Sequence, residues 1–294
     1  GEEYHSTVKE WELYQLLGDS YFYRKPRDYY TAIGYYKKSL ELRPGQKRLL
    51  YNIAIGYHAI KEYAKAMEYY DKRIALGVDS AEASLYRNAG SCALSLANGG
   101  GSADEEFDLG DEEVTGATEE ADTTAVNPDV DYHEKAIGYY KEYLKYNPDD
   151  LKVLNLVANT YLYQMQDCAN GVAAFEQVLA HDPNSCAALK AIGFAYFSGE
   201  ICAKNYTKAL KYLRRAYDCL KNGAGVCSDV EVSLWIAQCY HLRAASPKAD
   251  KKQANSDFAN AFKWYGRVLK CDPGNKEAVK GQNDTRFEFN EPGK

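Results

Sequence analysis

The sequence predicts an all-α chain, a solenoid of about six helix pairs. The string Ala32-Ile33-Gly34-Tyr35-Tyr36-Lys37 returns unchanged as Ala136-Ile137-Gly138-Tyr139-Tyr140-Lys141. Each copy runs on to a leucine and a proline at matching distances, Leu40 and Pro44 in the first and Leu144 and Pro148 in the second. Small residue, aromatic, leucine and proline at four-residue steps make an apolar helical stripe with a stop signal. A looser copy, Ala66-Met67-Glu68-Tyr69-Tyr70-Asp71, starts 34 residues after Ala32 and sets the period. A 34-residue period is the length of one helix-turn-helix unit, which buries its apolar face only by stacking on its neighbours.

Upstream of the first stripe lie Tyr14, Leu17-Gly18 and Tyr21. With Ala32, Tyr36 and Pro44 they resemble the tetratricopeptide repeat, whose pattern is W-x2-L-G-x2-Y, then A-x3-F, then P. The resemblance covers roughly residues 11–282 and implies a right-handed α-solenoid. Unit one spans about 11–46 and unit two about 47–80, with Asn52-Ile53-Ala54, Tyr57, Ala66 and Tyr70 at the signature positions. Gly77 is expected to end the second helix of unit two, with Val78 in the place of the repeat's proline. Unit three, about 81–148, carries Tyr86, Ala89-Gly90 and Ala93, then the second copy of the opening string.

An insert at about 98–131 divides unit three. It opens on Gly99-Gly100-Gly101-Ser102, holds twelve Asp or Glu and has no Lys or Arg. That composition predicts an acidic low-complexity loop, since it cannot bury enough apolar surface to offset the entropy of ordering. Unit four, about 149–184, has Leu154, Val157-Ala158, Tyr161, Gly171, Phe175 and Pro183. Unit five, about 185–225, has Leu189, Ile192-Gly193, Tyr196, Ala209 and Leu213; its turn is about four residues longer, which resembles the Sel1-like variant. Unit six, about 228–275, has Ile236-Ala237, Tyr240, Ala261, Tyr265 and Pro273, with Ser233 where the first aromatic belongs. A capping helix is expected from 276 and an extended tail over 283–294.

Composition excludes several classes. A net charge of −6 with no evident basic cluster argues against nucleic acid as a partner. No run of about 18 apolar residues could cross a membrane. No P-loop, G-x-S-x-G or H-E-x-x-H string occurs, and the five histidines are scattered, so no enzyme is expected. The acidic run Asp108-Leu109-Gly110-Asp111-Glu112-Glu113 lacks the spacing of a calcium loop, and no metal or cofactor is expected.

Among the eight cysteines, Cys92, Cys239 and Cys271 stand where small or apolar residues are buried and are read as core thiols. Cys168 and Cys202 fall in turns on one edge of the array, a geometry compatible with a disulfide; Cys219 and Cys227 bracket a Gly-rich loop and form a second candidate pair. The chain opens on Gly1 rather than Met, so the expectation is a processed, exported protein of periplasmic type, with the cytoplasm as the alternative.

In the tetratricopeptide family the first helices line the concave face, which implies a non-catalytic scaffold or adaptor binding an extended peptide or partner protein there. Helical period selects the residues turned away from the packed stripe. They include Gln15, Asp19 and Phe22 in unit one, Tyr51, Ile55 and His58 in unit two, and Gln238 and His241 in unit six. The candidate peptide site is Arg87, Asn155, Asn159, Tyr163, Lys190, Phe194 and Phe197. The two asparagine amides can donate to and accept from a peptide backbone, Arg87 and Lys190 can hold a carboxylate, and Phe194 and Phe197 would form an apolar shelf. The bland alternative is that the polar members are merely solvated. The other functional readings are a structural subunit that self-associates and a groove for carbohydrate or another small ligand.

Overall fold

The computed structural model describes residues 8–99, 127, 129–224, 227, 229–286 and 288. The described residues are α-helical with no strand. Most of the 98–131 insert and most of the 283–294 tail lie outside them. The chain divides into two compact halves, 1–150 and 151–294.

In the N-terminal half the helices are α1 (Glu10–Phe22), α2 (Tyr29–Leu42), α3 (Lys47–Ala59), α4 (Tyr63–Ile74), α5 (Ser84–Ala97) and α6 (Tyr132–Tyr146), each packed on the next. A 3-10 turn, Ser80–Glu82, precedes α5. Asp28 caps α2 by accepting from the Thr31 N–H, and Asp131 caps α6 by accepting from His133 and Glu134. The repeated stripe is the core. Ala32, Tyr36, Ala66, Tyr70, Ala136 and Tyr140 are all 0% exposed. Burying each such aromatic contributes roughly 1.5–3 kcal/mol.

A buried tyrosine hydroxyl needs partners. The Tyr36 hydroxyl donates to Asp19 at 2.7 Å and accepts from Asn52 Nδ2 at 3.2 Å. Arg48 grips the same carboxylate with two N–H groups, at 2.7 and 3.0 Å. One polar network thus ties α1, α2 and α3. Gly77, in the left-handed region at φ +86°, ends the turn after α4. Its carbonyl accepts at 2.8 Å from Arg73, which is 2% exposed and also pairs with Glu82.

Two residues expected on the open face are instead core. Phe22 meets the Tyr29 ring at 5.1 Å, and His58 lies edge-on to Tyr63 and Tyr70. Each sits in the last turn of its first helix, where the second helix folds back and covers it.

The C-terminal half holds α7 (Leu151–Asn159), continued by a π-helical turn at Thr160–Gln164, then α8 (Cys168–His181), α9 (Cys186–Ser198), α10 (Tyr206–Ala224), α11 (Val230–Ala244), α12 (Lys251–Cys271) and α13 (Lys276–Arg286). The last helix packs on α12. Cys168 pairs with Cys202, joining the start of α8 to the long turn after α9. Cys219 and Cys227 do not pair with each other. Cys186 bonds Cys219, and Cys227 bonds Cys271. Cys186 opens α9 and meets the late part of α10, and Cys227, just ahead of α11, meets the end of α12; the Cα atoms come within 5.7 and 5.6 Å. Cys271 is therefore a cross-link rather than an apolar filler. Cys92 and Cys239 are free and buried.

Candidate functional site

The site is built on α9. Ser185 caps this helix by accepting from the Ala188 N–H. Leu189, Ile192 and Ala195 are buried. Their spacing leaves Lys190, Phe194 and Phe197 on another face at i, i+4 and i+7, one above the other. Gly199, at φ +75°, closes the helix just beyond Ser198.

Helix α11 brings Trp235 against that face. Its ring centroid lies 4.6 Å from Phe194 and 6.2 Å from Phe197, and the two phenylalanines are 6.3 Å apart. All three rings are half-buried. The shelf is therefore a three-ring cluster rather than two free phenylalanines, completed by Trp235, which the period of α9 does not predict. A register signal does mark it. Trp235 immediately precedes Ile236-Ala237, as Asn52 precedes Ile53-Ala54 and Asn88 precedes Ala89-Gly90. Both asparagines reach back to a tyrosine of the preceding unit, Asn52 to Tyr36 and Asn88 to Tyr51.

Lys190 is held, not free. Its ammonium donates to Asp229 at 2.5 Å, lies 3.5 Å from Glu231 and sits 5.2 Å above the Trp235 ring. Burial lowers its pKa, but the hydrogen bond to Asp229 and the charges of Asp229 and Glu231 outweigh that and hold it above the ordinary lysine value. Asp229 also caps α11 through the Val232 N–H, so one carboxylate fixes both the helix start and the lysine.

Tyr163 is 42% exposed. Burial raises its pKa and the nearby Lys190 charge pulls it down, which puts it within electrostatic reach of the shelf's cation. Asn159 is exposed, while Asn155 donates to its own helix at the Leu151 carbonyl, 2.7 Å away. That donor is committed locally. In unit six Gln238 donates to Glu277 at 2.9 Å, and His241 is half-buried beside the Tyr265 hydroxyl. Arg87 belongs to the N-terminal half, where it is exposed on α5 and hydrogen-bonds Tyr143. The Tyr143 hydroxyl in turn donates to Asp150 at 2.8 Å.

The arrangement offers aromatic surface, a positioned cation and amide groups. Groups of this kind can make apolar, charged and hydrogen-bonding contacts with a ligand. Among the described residues no group of three or more His, Cys, Asp or Glu could hold a metal ion. No described helix is long and apolar enough to cross a membrane.

Helix pairs, buried Ala/aromatic stripes and small residues at the crossings are the geometry of a known repeat. Residues 158–224 match the tetratricopeptide repeat family model. That stretch holds the end of α7, all of α8, α9 and α10, and the Lys190, Phe194 and Phe197 face. No curated protein matches the chain in sequence. Among solved structures, the crystal structure of MamA protein is similar at 20% identity and TM-score 0.48, covering 73% of this chain and 93% of that one. YrrB, a TPR protein with an unusual peptide-binding site, is similar at 12% identity and TM-score 0.47, over 84% and 97% of the two chains. A TPR repeats protein from Bacteroides fragilis is similar at 14% identity and TM-score 0.41, over 95% and 99%.

Proposed function

We propose that the chain is a non-catalytic protein-interaction scaffold whose first-helix face on α9 and α11 takes an extended peptide or a segment of a partner protein. The observation that carries this is the half-exposed cluster of Phe194, Phe197 and Trp235 beside a lysine fixed by Asp229. Rigid aromatic surface next to a positioned charge is the composition of interface hot spots. Phe194, Phe197 and Trp235 bind an apolar side chain of the ligand. Tyr163, which feels the Lys190 charge, and Asn159 are assigned to the ligand's backbone. Lys190, already paired, sets local charge rather than clamping a carboxylate alone. Asn155 contributes through its side-chain oxygen, its amide hydrogens being turned to Leu151.

The three disulfides support an oxidising, exported setting of periplasmic type over the cytoplasm. The Sel1-like reading of unit five rests on its lengthened turn, which Cys202 anchors to Cys168.

Selection of random peptides on the immobilised chain tests the function. The expected result is an enriched apolar or aromatic motif whose affinity falls about tenfold or more in Phe194→Ala/Phe197→Ala, since one hot-spot residue is worth at least ~2 kcal/mol. Equal binding to both proteins, with circular dichroism unchanged, would reject this face.

A further inference from the structure

Net charge hides a strong asymmetry. The 98–131 stretch holds twelve of the forty-two carboxylates and none of the thirty-six Lys and Arg. The remaining thirty carboxylates leave the rest of the chain at a formal +6, so the helical repeats are basic. Much of that charge lies on α10, which carries Lys208, Lys211, Arg214, Arg215 and Lys221 against the single Asp218. Some second-helix lysines elsewhere have carboxylate partners: Lys72 with Glu68, Lys135 with Asp71 and Lys145 with Glu142. Among the described residues none of the five cations of α10 makes an ion pair. No basic cluster is evident in the sequence because the charges are interleaved with buried Leu210, Tyr212, Leu213 and Tyr217; they gather only when the helix turns.

Lys211, Arg214 and Arg215 line an open groove of about 400 Å³ with Asp218 of the same helix and Arg243 of α11. Arg243 is neutralised by Asp257, which is 1% exposed and accepts from it at 2.7 and 2.8 Å. Arg215 donates to the Pro183 carbonyl at 2.9 Å. Lys211 and Arg214 point to solvent without a counter-ion. We infer that this groove is a docking site for an acidic polypeptide, and that its occupant is the 98–131 stretch of a second copy of this chain. The exposed basic stripe from Lys208 to Arg215 runs about 10 Å along the helix. A line of cations of that length suits an Asp/Glu-rich ligand, and the 98–131 stretch supplies twelve carboxylates in sequence. Arginine forks favour carboxylate ligands. The groove is lined by α10 and by Tyr240 and Arg243 of α11, and none of Phe194, Phe197 and Trp235 lines it.

Sedimentation velocity on the full chain tests it, with two variants. One is Lys211→Glu/Arg214→Glu, which reverses exposed groove charges. The other changes the ten carboxylates of 104–122 to their amides at unchanged length. The wild type is expected to associate at about 0.05 M salt and to dissociate at about 0.5 M, where screening falls to a few ångströms. Each variant alone should be monomeric at low salt, with wild-type circular dichroism. An equimolar mixture of the two should associate again, because one supplies the acidic stretch and the other the groove. A wild type monomeric at low salt, association that persists in the groove variant, or a mixture that stays monomeric would each overturn the inference.

Discussion

Burial holds His58 neutral and makes one residue a source of acid sensitivity. Its pKa is pushed down to about 4 by burial, and its Nδ1 lies 3.4 Å from the Tyr70 hydroxyl. In the unfolded chain a histidine titrates near 6.5. Between these values the unfolded state binds more protons, so stability is full above pH ~6.5 and is lost as pH falls toward ~4, by about 3 kcal/mol at most. Burial lowers the His241 pKa as well, so it adds a contribution of the same sign. Denaturant titrations should show His58→Gln losing about 2 kcal/mol less than wild type between pH 7 and pH 5. Equal losses would mean the imidazole is not buried neutral. The free thiols make a second test. Burial pushes Cys239 up to about 12 and Cys92 well above the ordinary thiol range. Neither should alkylate in the native protein, and both should do so once it is unfolded without reductant, as mass spectrometry would count. The sequence could place both cysteines in first helices but could not reveal that His58 is covered. A helical wheel marks the direction of a side chain and says nothing of what folds over a terminal turn.

The glycines separate repeat geometry from mere repetition. A Cβ on Gly18 would stand 2.5 Å from the Tyr36 ring, and one on Gly90 would stand 2.7 Å from the Tyr140 ring. Both tyrosines are fully buried, and Asp19 pins the first, so the rings cannot give way. Gly18→Ala should cost ~1–3 kcal/mol by overpacking. Gly34 sits within the duplicated string itself, yet it is exposed on α2 with nothing within 4 Å of an added Cβ. Gly34→Ala should therefore stabilise by ~0.5–1 kcal/mol, because glycine is a poor helix former. Thermal melts of the two variants should move in opposite directions. At this scale the sequence was most informative. Each stripe of alanine and aromatic became a buried second-helix face, because the 3.6-residue period is written in the chain. Two disulfide partners were not legible. They depend on which helix ends meet, and Cys186 and Cys219 lie in one unit 33 positions apart while the nearer Cys227 serves another unit.

All three disulfides lie in the C-terminal half, and the N-terminal half has none among its described residues. Loops of 33 to 44 residues are closed, each worth roughly 4 kcal/mol by the chain-entropy argument. Reduction should therefore raise amide exchange across α8 to α12 and leave α1 to α4 unchanged. A uniform rise would mean the halves do not hold stability separately. The candidate face was legible in part. Lys190, Phe194 and Phe197 follow from one helix's period, whereas Trp235 arrives from the next unit, and the partners of Lys190 lie about 40 residues ahead of it. Local period cannot report such long-range neighbours. The most direct measurement is hydrogen exchange of the full chain with and without a peptide selected on it. Slowed exchange concentrated in α9 and α11, and lost in Phe194→Ala/Phe197→Ala, is the expected result. Protection confined to α8, α10 and α12, with α9 and α11 unchanged, would contradict binding at the first-helix face.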